Sequence, residues 1–110
     1  MLNVSLDDKF DISKKRVLLN GTQALVRLMI AQKERDTEKG WDTAGYVTGY
    51  RGSPLGAVDF QMRRAEPALT AASVIFKEGL NEDLAVTALW GTQQAELRGE
   101  GKYDGVFGLW

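Results

Sequence analysis

Three short apolar runs, "TAGYVTGY" (43–50), "SVIFKEG" (73–79) and "YDGVFGLW" (103–110), are separated by segments of helical spacing. Each run is strand length, and each is a mainly apolar run rather than an alternating one. Continuous apolar strands are buried on both faces, which is the habit of parallel sheets covered by helices. Strand, helix, strand, helix, strand is also the order that right-handed crossovers convert into a parallel sheet. The expected fold class is therefore α/β: a doubly wound, mainly parallel sheet with helices on both faces.

The intervening segments fit that plan. After Gly21, Ala24, Leu25, Leu28, Met29 and Gln32 recur at helical intervals, with Arg27, Lys33, Glu34 and Lys39 on the polar side and Gly40 as a stop, so a helix is predicted over 22–38. "RVLLNG" (16–21) before it is either a very short strand or an extended entry. Val58, Met62 and Ala65 predict a second helix, ended or kinked by Pro67. "NEDLAVTALWGTQQAEL" predicts a further one, with Leu84, Ala88 and Leu89 on one face and Trp90 beside them. Trp41, Trp90 and Trp110 are read as packing residues. Residues 1–14 form a polar leader expected to pack loosely or not at all, and 15–110 form the folded part. Because the sequence stops within an apolar strand, the chain is expected to be a piece of something longer, truncated at its C-terminus.

Composition removes several classes of function. Fourteen basic residues face fifteen acidic ones, a formal charge of -1. That balance offers nucleic acid or an anionic membrane no attraction. There is no cysteine and no histidine, so disulfides, ordinary zinc sites and cysteine-bound clusters are excluded from this segment. Proton transfer, where it occurs, falls to carboxylate, Lys or Tyr. The N-terminus lacks the basic start and apolar core of a signal peptide, and no apolar run reaches membrane-spanning length. A cytoplasmic location is expected.

Three places stand out for chemistry. "TGYRGSPLG" (48–56) follows a strand and precedes a helix, where open α/β sheets bind ligands. Gly52 and Gly56 admit close backbone approach, and Ser53 offers a hydroxyl. The stretch is neither a Walker A loop nor a GxGxxG fingerprint. Read plainly it is a tight turn, with Ser53 as a helix cap ahead of Pro54 or as the acceptor of an ST-turn. Arg51 is either a bidentate grip for a carboxylate or phosphate, or a solvated loop charge. In "KEGLNEDLA" (77–85), Asn81 is a natural N-cap, and Glu82 and Asp83 suit the positive end of the helix dipole. The alternative is a carboxylate aimed at a ligand. Glu82 and Ser53 follow different strands of one parallel sheet, and so meet at its carboxyl edge.

Three of these stretches, in order, resemble the N-terminal part of the 2-oxoacid:ferredoxin oxidoreductases, in particular the indolepyruvate ferredoxin oxidoreductases. "LLNGTQALVRLMI" is similar to that family's Gly-rich entry to a helix, "YRGSP" (50–54) to its Tyr-Pro-Gly-Thr-Pro type turn, and "NEDLAVTALWGTQ" to its acidic helix opening. The resemblance covers roughly 15–110 and implies the N-terminal part of a thiamine pyrophosphate pyrimidine-binding domain. It implies that Glu82 is the catalytic, cofactor-binding carboxylate at the aminopyrimidine ring nitrogen, with burial raising its pKa against the helix dipole. Ser53 stands where the family has a substrate-facing Thr, with Gly52 and Arg51 beside it as substrate-binding candidates. Arg51 departs from the family's Pro. The implied reaction is oxidative decarboxylation of a 2-oxoacid to an acyl-CoA, with ferredoxin reduced. Magnesium and [4Fe-4S] clusters are implied only on parts of the enzyme outside this chain, the remaining domains or subunits are its partners, and the complete enzyme is implied to be a dimer. The competing expectation is a non-catalytic nucleotide-binding or regulatory module with a flavodoxin-like sheet.

Overall fold

A computed structural model describes residues 3–110. The elements run in the order α1 (Gly21–Glu38), β1 (Thr43–Gly49), α2 (Gly56–Arg64), α3 (Glu66–Ala71), β2 (Val74–Glu78), α4 (Glu82–Gln93) and β3 (Gly105–Leu109). The three strands form one sheet in the order β2-β1-β3, every pairing parallel. The α/β class and the parallel sheet are as the apolar runs require, and each strand lies inside its predicted run.

Alternation along β1 sends Val47 and Gly45 to one face. There Val47 joins Val26, Met29 and Ile30 from α1, Met62 and Ala65 around the end of α2, Leu69 from α3, and Val74 from β2. The opposite face receives α4, which touches β1 and β3. Contact there depends on missing side chains. A Cβ on Gly79 would lie 2.7 Å from the Ala85 Cβ, and one on Gly108 would lie 2.3 Å from Leu89 Cδ1.

Local signals explain the boundaries. Asn20 caps α1 in a reciprocal capping box with Gln23, so "RVLLNG" is an extended entry and not a strand. Gly40 ends the helix turn at φ 82, in the left-handed region. Asp36 is buried near the end of α1, where it accepts from the Thr43 hydroxyl at 2.6 Å and from Gln32 Nε2 at 2.9 Å. Its carboxylate therefore pins the end of α1 to the first residue of β1.

Several expectations need correction. The buried stripe of α1 is Val26, Met29 and Ile30, and Leu28 is exposed. "ALVRLMI" carries two overlapping apolar stripes, and periodicity alone does not choose between them. Pro67 breaks the helical run as expected: α2 stops at Arg64 and α3 begins at Glu66, with Pro67 in its first turn, where its missing N–H costs nothing. On α4, Ala85 is the buried residue, Leu89 is half-buried, and Leu84, Ala88 and Trp90 are exposed. Trp41, Trp90 and Trp110 are all more than half exposed rather than packed. The described part of the leader is docked: Phe10 and Ile12 pack against the core, and Arg27 donates to the carbonyls of Lys9, Asp11 and Lys14. Residues 1–2 of that leader lie outside the described residues.

Candidate functional site

The order β2-β1-β3 places consecutive crossovers on opposite sides of β1. The carboxyl ends of β1 and β3 therefore flank a switch point, where open α/β sheets hold ligands. A cavity of about 240 Å³ lies there, lined by the ends of β1 and β3, the loop 50–55, Leu25 of α1, and Val58 and Asp59 of α2.

The loop owes its path to Gly52, whose φ of 91 lies in the left-handed region that favours glycine. Ser53 lines the cavity, and its Oγ accepts from the Leu55 N–H at 3.3 Å. That is an ST-turn. The helix starts at Gly56 with Leu55 at its cap position and no side-chain cap, so Ser53 is not the N-cap that the plain reading of the turn allowed.

Arg51 does not line the cavity. Its Nε lies 3.4 Å from Glu78 Oε1 and 3.7 Å from Asp59 Oδ2, and its side chain is 75% exposed. Arg63 completes the group, donating from Nε to Asp59 Oδ1 at 2.7 Å and from Nη2 to Glu78. Two arginines and two carboxylates thus tie the loop to α2 and to the end of β2. The Asp59–Arg63 pair is legible as an i,i+4 spacing, though sequence reasoning passed over it.

Glu82 opens α4, one residue after Asn81, whose side chain accepts from the Leu84 N–H at 2.9 Å. The N-cap reading of Asn81 holds. The Glu82 side chain is exposed, and its Oε1 accepts a short hydrogen bond from the Tyr50 hydroxyl. That bond, followed by one from the residue's own backbone N–H, holds the Glu82 carboxyl below the usual glutamate range, with desolvation opposing. The same bond holds the Tyr50 hydroxyl above the usual tyrosine range. In this chain the resting Glu82 is an ionised carboxylate, the opposite of the raised pKa expected from burial, because water still reaches it.

The loop after β1 and the start of α4 therefore do meet at the carboxyl edge, through Tyr50 rather than Ser53. Tyr50 lies in the turn that the sequence singles out, but nothing in the sequence marks its role. No local signal shows which residue of that turn reaches across to the neighbouring strand's loop.

Among the described residues, no three His, Cys, Asp or Glu side chains are grouped to hold a metal ion. No helix among them is long and apolar enough to cross a membrane. No protein-family model, curated protein or solved structure matches the chain.

Proposed function

We propose that the chain is the N-terminal part of the pyrimidine-binding domain of a thiamine pyrophosphate-dependent 2-oxoacid:ferredoxin oxidoreductase that acts on an aryl 2-oxoacid such as indolepyruvate. The single observation that carries this reading is the Tyr50–Glu82 hydrogen bond. It joins two of the motifs on which the family resemblance rests, "YRGSP" and "NEDLA", at the ligand-binding edge of a parallel sheet. The α/β class with helices on both sheet faces is compatible with the thiamine-diphosphate-binding fold that the resemblance implies.

The residues present suit the cofactor's ring. Glu82 stands on the first turn of a helix capped by Asn81 and braced by Tyr50, so its direction is fixed. Tyr50 occupies Oε1 only, which leaves Oε2 for a ring nitrogen. When bound, thiamine pyrophosphate supplies the carbon nucleophile and the electron sink for decarboxylation. Glu82 contributes a proton held at the ring nitrogen, which requires its pKa to rise. Covering the exposed side chain with another domain or subunit supplies that rise by desolvation, against Tyr50 and the helix dipole. The Ser53 hydroxyl orients the substrate by donating to its carboxylate. Arg51, bound loosely and exposed, supplies a second donor once it releases Glu78; exposed ion pairs of this kind contribute about 0–1 kcal/mol. The pyrophosphate, magnesium, [4Fe-4S] clusters, CoA and ferredoxin are assigned to the partner domains or subunits of a dimeric enzyme.

The test uses the native assembly containing this chain, purified without oxygen and assayed for 2-oxoacid- and CoA-dependent reduction of ferredoxin. Glu82→Gln is expected to lower kcat by about 10²-fold or more, the usual scale for a lost proton-transfer group. Near wild-type turnover in that variant refutes the assignment.

One observation favours a second reading, a non-catalytic nucleotide-binding or regulatory module of flavodoxin-like build: the order β2-β1-β3 with a cavity at its switch point. Tight FMN or ATP binding by the chain, with no thiamine pyrophosphate-dependent turnover in the assembly, selects it.

A further inference from the structure

A groove runs along the amino edge of the sheet, at the end of the strands opposite Tyr50 and Glu82. It is lined by the starts of the three strands, by Thr70 and Ser73 at the turn from α3 into β2, by Thr92 of α4, and by Lys102 and Tyr103 ahead of β3. The packing of the helices leaves it open. α4 lies over β1 and β3 and leaves β2 bare on that face, so Ile75 is 51% exposed beside its β1 neighbour Tyr46. Ser73 fixes one wall. Its φ of 57 lies in the left-handed region, which serine seldom occupies. Its N–H donates to the Thr70 carbonyl at 3.0 Å, and its carbonyl accepts from the Gly45 N–H at 2.9 Å.

The chemistry of the walls, rather than the volume of an open groove, selects what binds. No carboxylate lines it, and Lys102 is its one charged side chain. The neighbouring Asp104 is turned away to accept from the Asp42 N–H at 2.7 Å. The Thr92 hydroxyl is engaged, donating to the Leu89 carbonyl at 2.6 Å. Among the described residues, the hydroxyls of Tyr46, Thr70, Ser73 and Tyr103 and the ammonium of Lys102 take part in no hydrogen bond or ion pair. The strand order β2-β1-β3 sets these groups out across the sheet: Thr70 and Ser73 beside β2, Tyr46 on β1, and Lys102 and Tyr103 beside β3. An occupant therefore meets hydroxyls at one end, an aromatic ring and Ile75 in the middle, and a cation at the other end. A simple ring with a carboxylate leaves the hydroxyl end unmet. A nucleoside monophosphate has a phosphate for the cation, a planar base for the ring and polar base edges for the hydroxyls.

We propose that this groove binds a nucleoside monophosphate, with its phosphate on Lys102, its base against Tyr46 and Ile75, and the base edge read by the Thr70 and Ser73 hydroxyls. The bound nucleotide bridges β2 to Thr92, near the end of the helix whose first turn carries Glu82. The site does not rest on the proposed function, since no residue of it belongs to the carboxyl edge.

The probes are AMP, adenosine, inorganic phosphate and benzoate, titrated into the full chain and followed by backbone amide NMR. AMP is expected to give saturable shifts grouped at Tyr46, Ile75, Lys102 and Val106, and to bind more tightly than the other three. Lys102→Gln weakens AMP about tenfold, the scale of a lost hydrogen bond to a charged group, and leaves adenosine unchanged. Thr70→Val weakens AMP and adenosine alike by about threefold or more, the scale of a lost neutral hydrogen bond. Both positions are exposed, so both variants keep the fold. Scattered or non-saturating shifts, benzoate binding as tight as that of AMP, or unaltered AMP affinity in Lys102→Gln overturn the site. So do AMP shifts grouped instead at Val47, Val58 and Leu109, which would place the nucleotide at the carboxyl edge and favour the flavodoxin-like reading. AMP binding at the amino edge together with full turnover in Glu82→Gln removes the oxidoreductase reading and leaves this site. Lost turnover in Glu82→Gln without AMP binding removes this site alone.

Discussion

On one face of the sheet Val26, Met62, Leu69 and Val74 close into a core in which each is less than 2% exposed; on the other, α4 buries Ala85 and leaves Leu84, Val86 and Trp90 in water. The two faces are assembled by different means. The α1–α3 face fills volume with large side chains, so its stability depends on shape and burial. The α4 face gains its closeness from the absence of side chains at Gly79 and Gly108, and it seals little. Glu82 and the exposed side chains of α4 belong to this second face, whereas the cavity and Ser53 belong to the first. The Tyr50–Glu82 bond crosses from one to the other.

The largest test of this contrast compares truncations. Leu69→Ala should cost about 2–5 kcal/mol in urea unfolding, as for other fully buried leucines. Trp90→Ala, on a residue 63% exposed, should stay within about 0.5 kcal/mol. Equal costs would erase the distinction between the faces. Next come the glycines of the α4 contact. A Cβ on Gly79 meets the Cβ of Ala85, which has no rotamer to change, so Gly79→Ala should cost about 1–3 kcal/mol. On Gly108 it meets the far end of Leu89, which is half-buried and able to turn, so Gly108→Ala should cost less. Thermal unfolding of the pair ranks them, and the reverse order would mean that α4 is held differently. Asn81→Ala should then remove about 1 kcal/mol through the lost cap on α4.

The smallest effect is electrostatic. The folded-state pKa of Glu82 is depressed, so its contribution to stability is present at neutral pH. It is lost as pH falls through that folded-state value, below the usual glutamate range. The Tyr50 hydroxyl is shifted the other way, so the same bond is also lost as pH rises through a value above the usual tyrosine range. Tyr50→Phe should lower stability in the neutral middle of a stability-against-pH profile and leave the acid and alkaline ends unchanged, so that both limbs flatten. An unchanged acid limb would mean that Tyr50 does not set the state of Glu82.

The contrast between the faces also explains what was legible in the sequence. β1, β2 and β3 were legible as strand-length apolar runs, although β2 is not covered on both faces as expected: Val74 is buried while Ile75, Lys77 and Glu78 are exposed. Asn81 and Gly40 were readable because caps and left-handed stops act within a few residues. The face of α4 was not readable. Leu84, Ala88 and Trp90 have helical spacing, yet the sheet takes Ala85, since Gly79 lets only a small residue come close. The docking of the leader by Arg27 and the bridge from Tyr50 to Glu82 were hidden for a related reason. Each joins residues far apart in sequence, and neither leaves a local pattern.

The central claim is that Glu82 is a cofactor carboxylate awaiting a cover. Carbon-detected NMR titration of its side-chain carboxyl tests this most directly, in the chain alone and in the native assembly with thiamine pyrophosphate. The account predicts a value below the usual glutamate range in the chain alone, shifted above that range in the assembly. An identical, depressed value in both would contradict it.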